Sequence, residues 1–87
     1  MATIIIPFPL RQHTENQREV VIPGQDLAAV MTGLLERHPG LEVVERQPGL
    51  LSLFINGRAV TEPPERWSQV AVVPEDEISL IIPIAGG

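Results

Sequence analysis

The sequence predicts an α+β domain in which a mixed sheet of four to five strands carries one helix on one face. Three observations point to this. Apolar, strand-like runs open and close the chain, Thr3-Ile4-Ile5-Ile6-Pro7-Phe8 and Ile78-Ser79-Leu80-Ile81-Ile82. One stretch, Leu27 to Leu35, has clear helical periodicity. The elements follow the order strand, strand, helix, strand, strand, helical turn, strand, and a lone helix can cover only one face of a sheet. With 87 residues the chain makes one small domain with a single core.

The first run is apolar on both parities, as a central strand would be. Pro7 has no amide proton, so the ladder should loosen there. Leu10 to Gln17 reads as a polar, turn-like hairpin connection, and Arg18 to Ile22 as a second strand stopped by Pro23-Gly24. Asp26 is a good helix N-cap, because its carboxylate accepts from unpaired amides and favours the positive end of the helix. Leu27, Val30, Met31, Leu34 and Leu35 then form one apolar stripe, which His38-Pro39-Gly40 terminates. A methionine in such a stripe is core, not ligand.

Leu41 to Gly49 is a loop of mixed charge. Leu51, Leu53 and Ile55 alternate with Ser52, Phe54 and Asn56, the pattern of a strand with one buried face. Asn56-Gly57 is a two-residue turn signal, since a type I′ turn needs positive φ at both positions. Arg58 to Val60 returns as a short strand. Within Thr61 to Glu77 a helical turn is expected near Arg66 to Val70, with Trp67 and Val70 closing the core edge. Glu75-Asp76-Glu77 reads as a solvated turn before the last strand. Joining the first and last strands in parallel at the sheet centre explains why both are so apolar, and the result is the β-grasp arrangement. Residues 1–82 are then the β-grasp domain and 83–87 a flexible C-terminal tail.

Composition excludes several function classes. A net charge of −5 argues against nucleic acid and anionic membranes, which require clustered basic residues. No apolar run approaches membrane-spanning length, and the first residues lack the basic region and cleavage site of a signal peptide. Without cysteine there is no disulfide, thiolate metal site or cysteine nucleophile. A cytoplasmic location is expected. All six basic residues are arginine, which a bias toward Arg codons explains more simply than protection of a reactive terminus. No catalytic constellation is visible. His13 and His38 lie on separate segments with no partner at metal-ligand spacing, and read as satisfied or exposed surface groups.

The ending Ile82-Pro83-Ile84-Ala85-Gly86-Gly87 carries the functional signal. The apolar strand runs straight into it, and glycine, lacking Cβ, lets the backbone enter channels too narrow for other residues. Pro83, Ile84, Ala85, Gly86 and Gly87 extend about 16 Å when stretched, enough to place the Gly87 carboxylate in the active site of another protein. Strand parity sends Leu53, Ile55, Ile78, Leu80 and Ile82 toward the helix and Phe54 and Ile81 to the open face. Phe54 and Ile81 are therefore expected to form a partner-docking patch at the root of the tail.

The element order, Asp26-Leu27, Phe54-Ile55-Asn56-Gly57, Glu75-Asp76-Glu77-Ile78-Ser79 and the closing Ile82 to Gly87 together resemble the ubiquitin-like sulfur carriers. That family includes the small subunit of molybdopterin synthase, the thiamin-pathway carrier and the carrier that serves cysteine synthesis. Leu10-Arg11-Gln12-His13-Thr14 is most similar to the cysteine-type branch. The resemblance implies that a partner E1-like adenylating enzyme uses ATP to activate the Gly87 carboxylate. A sulfur donor then displaces AMP, leaving a thiocarboxylate whose sulfur passes to a sulfur-accepting enzyme. On this reading the chain is a substrate and carrier, not an enzyme, and holds no cofactor of its own. Two other functions are weighed against this one: a protein modifier joined through Gly87 to lysines of its targets after the same activation, and a non-covalent β-grasp binding module whose terminal glycines are incidental.

Overall fold

The computed structural model describes residues 1–42 and 52–81. Five strands form one sheet: β1 (Ala2–Ile5), β2 (Glu19–Ile22), β3 (Ser52–Ile55), β4 (Arg58–Ala59) and β5 (Glu77–Ile81), in the order β2-β1-β5-β3-β4. The two apolar end runs meet at the centre. β1 pairs in parallel with β5, with Thr3 opposite Glu77 and Ile5 opposite Ser79. The remaining pairs are antiparallel, so the sheet is mixed.

One face is covered by α1 (Leu27–Arg37). The helix starts where it does because the Asp26 carboxylate accepts from the Ala29 amide at 2.8 Å, satisfying an amide that has no partner within the helix. Leu27, Val30, Met31 and Leu34 are buried, and Leu35 packs at the margin. They meet Ala2, Ile4, Val20, Ile22, Leu53, Ile78 and Leu80 from the inner face of the sheet. Each such side chain contributes about 1.5–3 kcal/mol when taken fully out of water. Gly33 permits the close approach of helix to sheet, because a Cβ there would lie 2.8 Å from Ile22 Cγ2. Trp67, on a 3-10 helix over Pro64–Gln69, and Val70 pack against the edge of this core, as their place in the sequence predicts.

Several expectations need correction. The first strand stops at Ile5 instead of reaching Phe8. The Ile6 amide still donates to the Arg18 carbonyl at 2.8 Å, but Pro7 and Pro9 have no amide and turn the chain out of the ladder. The connection from residue 10 to 17 is not merely a polar turn. Phe8–His13 is a 3-10 helix with Leu10 buried, and Thr14 is buried with its hydroxyl donating between the carbonyls of Arg11 (3.2 Å) and Gln17 (3.0 Å). Finally, Glu75-Asp76-Glu77 is more than a solvated turn. Asp76 accepts from the Val73 amide at 2.9 Å and from Asn56 Nδ2 at 2.7 Å, so it ties the start of β5 to the β3–β4 turn. That turn has the predicted dihedrals, with φ of 51° at Asn56 and 85° at Gly57. The loop expected from Leu41 to Gly49 begins differently, since Leu41 is buried and ends a 3-10 helix over Pro39–Leu41; residues 43–49, the inward place of Leu51 and that of Ile82 lie outside the described residues.

Candidate functional site

The parallel pairing of β1 and β5 sets the geometry of the site. Both strands run toward the same pole of the sheet, where their pairing ends with Ile5 opposite Ser79. The chain beyond Ile81, with Pro83, Ile84, Ala85, Gly86 and Gly87, lies outside the described residues. The pole itself is described, and it is where β5 hands on to the sequence that ends in Gly86-Gly87.

On the outer face, Phe54 lies opposite Ser79 on one side and Ala59 on the other, while Ile81 lies opposite Ser52. Phe54 and Ile81 are therefore diagonal neighbours on one face of an antiparallel pair, a relation that spans about 7–8 Å and is within reach of an aromatic ring. Ile81 is 45% exposed. Phe54 is half-buried rather than fully open. Its small neighbours Ser79 and Ala59 leave the ring edge accessible, and Ile5, opposite Ser79, extends the apolar strip across the sheet. Leu53, Ile78 and Leu80 are buried on the opposite face, and Ile55 packs at the margin of the same core.

The same pole carries a residue that pattern reading missed. Phe8 is 79% exposed, far more than either member of the Phe54–Ile81 pair. The Arg11 guanidinium lies over its ring, 5.6 Å from the centroid, and Arg11 Nε donates to the Ile6 carbonyl at 3.1 Å. The sequence pattern alone places Phe8 in the apolar run of the first strand. The signal that separates it is its flanking pair, Pro7 and Pro9, neither of which can supply a ladder hydrogen bond.

His13 and His38 do not assemble a centre. His13 is half-buried against Gly40, where a Cβ would come within 2.6 Å of Nδ1, so its ring joins the first 3-10 helix to the turn that follows α1. Among the described residues no group of three or more His, Asp and Glu is placed to hold a metal ion. Among them, too, no helix is long and apolar enough to cross a membrane.

Comparison with known proteins bears on the whole chain. The model of the ThiS family matches residues 4–87, a span that includes the terminal glycines. The sulfur carrier protein CysO of Mycobacterium tuberculosis is 31% identical over 91 residues, covering 98% of this chain and 97% of that protein; CysO of Mycobacterium bovis matches to the same extent. Among solved structures, a chain of the Amycolatopsis orientalis BexX/CysO complex superposes with a TM-score of 0.84 at 21% identity, covering 100% of both chains. Mycobacterium tuberculosis CysO superposes at 0.80 with 22% identity, over 97% of this chain and 100% of that one. Small archaeal modifier protein 1 of Methanosarcina acetivorans superposes at 0.78, also at 22% identity, over 99% and 95%. These neighbours share the β-grasp, ubiquitin-like fold.

Proposed function

The chain belongs to the ThiS family and is a CysO-like sulfur carrier, and on that premise we propose that Gly87 is the atom-transfer end of the molecule. An E1-like adenylating enzyme joins the Gly87 carboxylate to AMP with release of pyrophosphate. The resonance-stabilised carboxylate is a poor electrophile, and the acyl-adenylate is a good one. A sulfur donor attacks the carbonyl carbon, AMP leaves, and the chain ends in a thiocarboxylate. The sulfur, anionic at neutral pH and strongly nucleophilic, then displaces a leaving group from an acceptor held by a second enzyme. Water cleaves the resulting thioester, leaving the sulfur on the acceptor and restoring the Gly87 carboxylate. The observation that carries this reading is the family match running through Gly86-Gly87, directly beyond a strand locked at the centre of the sheet. Pro83 to Gly86 thread the partner's channel, and Phe54 and Ile81 form the patch on which the partner rests. Cysteine synthesis is the pathway favoured by the likeness to CysO and by Leu10-Arg11-Gln12-His13-Thr14.

Intact-mass measurement tests the proposal. Incubation with ATP, the cognate adenylating enzyme and a sulfur source should replace one oxygen of the chain by sulfur. The absence of both the AMP adduct and the sulfur-bearing form overturns the reading. One residue appended after Gly87 should stop the conversion, whereas a non-covalent binding module would be indifferent to it. The fold shared with small archaeal modifier protein 1 favours a second reading, conjugation to lysines of target proteins. Higher-mass adducts on a gel that resist thiol reagents would identify it.

A further inference from the structure

We propose that Phe8, braced by Arg11, is a docking anchor for the adenylating enzyme, seated in an apolar pocket of that enzyme with a carboxylate beside the guanidinium. The inference rests on the carrier reading and names a surface that reading did not include. An aromatic side chain left 79% exposed forfeits the gain that burial of its apolar ring would bring. The fold does not leave Phe8 out by looseness. Pro7 and Pro9 hold their own backbone angles near fixed values on either side of it, and Leu10 and Thr14 fasten the same segment into the core. The Thr14 and Asn16 amides both donate to the Arg11 carbonyl, at 3.0 and 2.8 Å. The Arg11 side chain is tied in turn to the Ile6 carbonyl and laid over the Phe8 ring. A rigid aromatic that loses little rotamer freedom on binding makes an efficient anchor.

Position selects the occupant. Phe8 lies three residues beyond Ile5, at the end of the sheet toward which the parallel strand β5 also runs, and Gly87 is six residues beyond Ile81. Those six residues span about 20 Å when fully extended. An enzyme that takes the Gly87 carboxylate into its ATP site is therefore held against this pole. The adenylating enzyme is required whether the chain ends as a carrier or as a modifier, so it is the partner the surface must serve. The cation matters because the guanidinium is half-buried on its own aromatic ring and offers its outer nitrogens to a carboxylate in planar, bidentate fashion, which lysine cannot reproduce.

The experiment follows pyrophosphate release by the adenylating enzyme as a function of carrier concentration, using the full chain and its Phe8→Ala, Phe8→Leu and Arg11→Glu variants. Expected is a rise in KM of about tenfold or more for Phe8→Ala and for Arg11→Glu, the range of an interface anchor, with kcat unchanged and Phe8→Leu in between. Thermal unfolding of Phe8→Ala should match the unsubstituted chain. Equal KM values for the unsubstituted chain and Phe8→Ala overturn the docking proposal while leaving the carrier reading intact. So does a loss confined to the sulfur-accepting enzyme. No pyrophosphate release from the unsubstituted chain overturns the carrier reading and the docking proposal together.

Discussion

Asn56 and Asp76 are bound to each other side chain to side chain across 20 residues of sequence, Nδ2 to Oδ1 at 2.7 Å. Asn56 also holds backbone on the far side of the joint. Asn56 Oδ1 accepts from the Glu77 amide at 2.9 Å, and its own amide donates to the Glu77 carbonyl at 2.8 Å. The Thr3 amide donates to the Asp76 carbonyl at 3.1 Å. Three strands, β1, β3 and β5, are thus registered at the pole opposite the C-terminal end of β5.

This lock predicts a graded loss of stability. Asn56→Gly keeps the positive φ of the turn but removes the side-chain bonds, and should cost about 1 kcal/mol, the net worth of a typical hydrogen bond. Asn56→Asp also tolerates the turn but faces Asp76 with a like charge, so it should cost more, about 2 kcal/mol. Urea unfolding midpoints at neutral pH measure both. A midpoint of Asn56→Gly equal to that of the unsubstituted chain would show that the side-chain bonds contribute nothing.

Gly33 predicts a result opposite to helix propensity. Alanine in a helix interior is favoured over glycine by about 1 kcal/mol. Here its Cβ would stand 2.8 Å from Ile22 Cγ2, on a stiff β-branched and fully buried side chain. Overpacking of this kind costs about 1–3 kcal/mol, so Gly33→Ala should lower stability in chemical denaturation, whereas propensity alone would raise it.

Glu15 is held in the left-handed region, with φ of 56°, beside Asn16 at 64°. The Gln17 amide donates to the Thr14 carbonyl across this two-residue turn at 2.9 Å. Asparagine suits such a position and glutamate does not; the left-handed conformation costs a residue with Cβ about 1–2 kcal/mol. Part of that is returned as chain entropy when glycine replaces it, so Glu15→Gly should raise stability by about 0.5–1 kcal/mol. Thermal unfolding at matched concentration checks the sign.

Phe54 and Ile81 distinguish docking from folding. Phe54 is half-buried, so Phe54→Ala should cost well under the roughly 3–5 kcal/mol of an emptied core site while weakening partner binding by about tenfold or more. Ile81→Ser should weaken binding with little effect on folding, because Ile81 is 45% exposed. Calorimetric titration with the adenylating enzyme, alongside unfolding curves, separates the two quantities. A loss of stability without a loss of affinity would reassign Phe54 to the core.

Much of this architecture is legible from local chemistry. Asp26 caps α1 because a carboxylate three residues ahead of a free amide has few better partners. The stripe from Leu27 to Leu34 faces the sheet because helical spacing leaves it no other side. Leu53, Ile78 and Leu80 go inward because strand parity is strict, and Asn56-Gly57 turns because both residues tolerate positive φ. These are relations between residues at most a few positions apart, so pattern reading reaches them. Three features escaped it: the burial of Thr14, the reach of Asp76 to Asn56, and the exclusion of Phe8 from the strand that precedes it. Phe8 is set apart locally, by its flanking prolines, whereas the burial of Thr14 depends on how its segment packs and the reach of Asp76 on a residue 20 positions away. The antiparallel pairing of β3 with β5 brings Asp76 to Asn56, and the parallel seating of β1 beside β5 decides which side chains share the pole at the C-terminal end of β5, because strand pairing joins residues far apart in sequence.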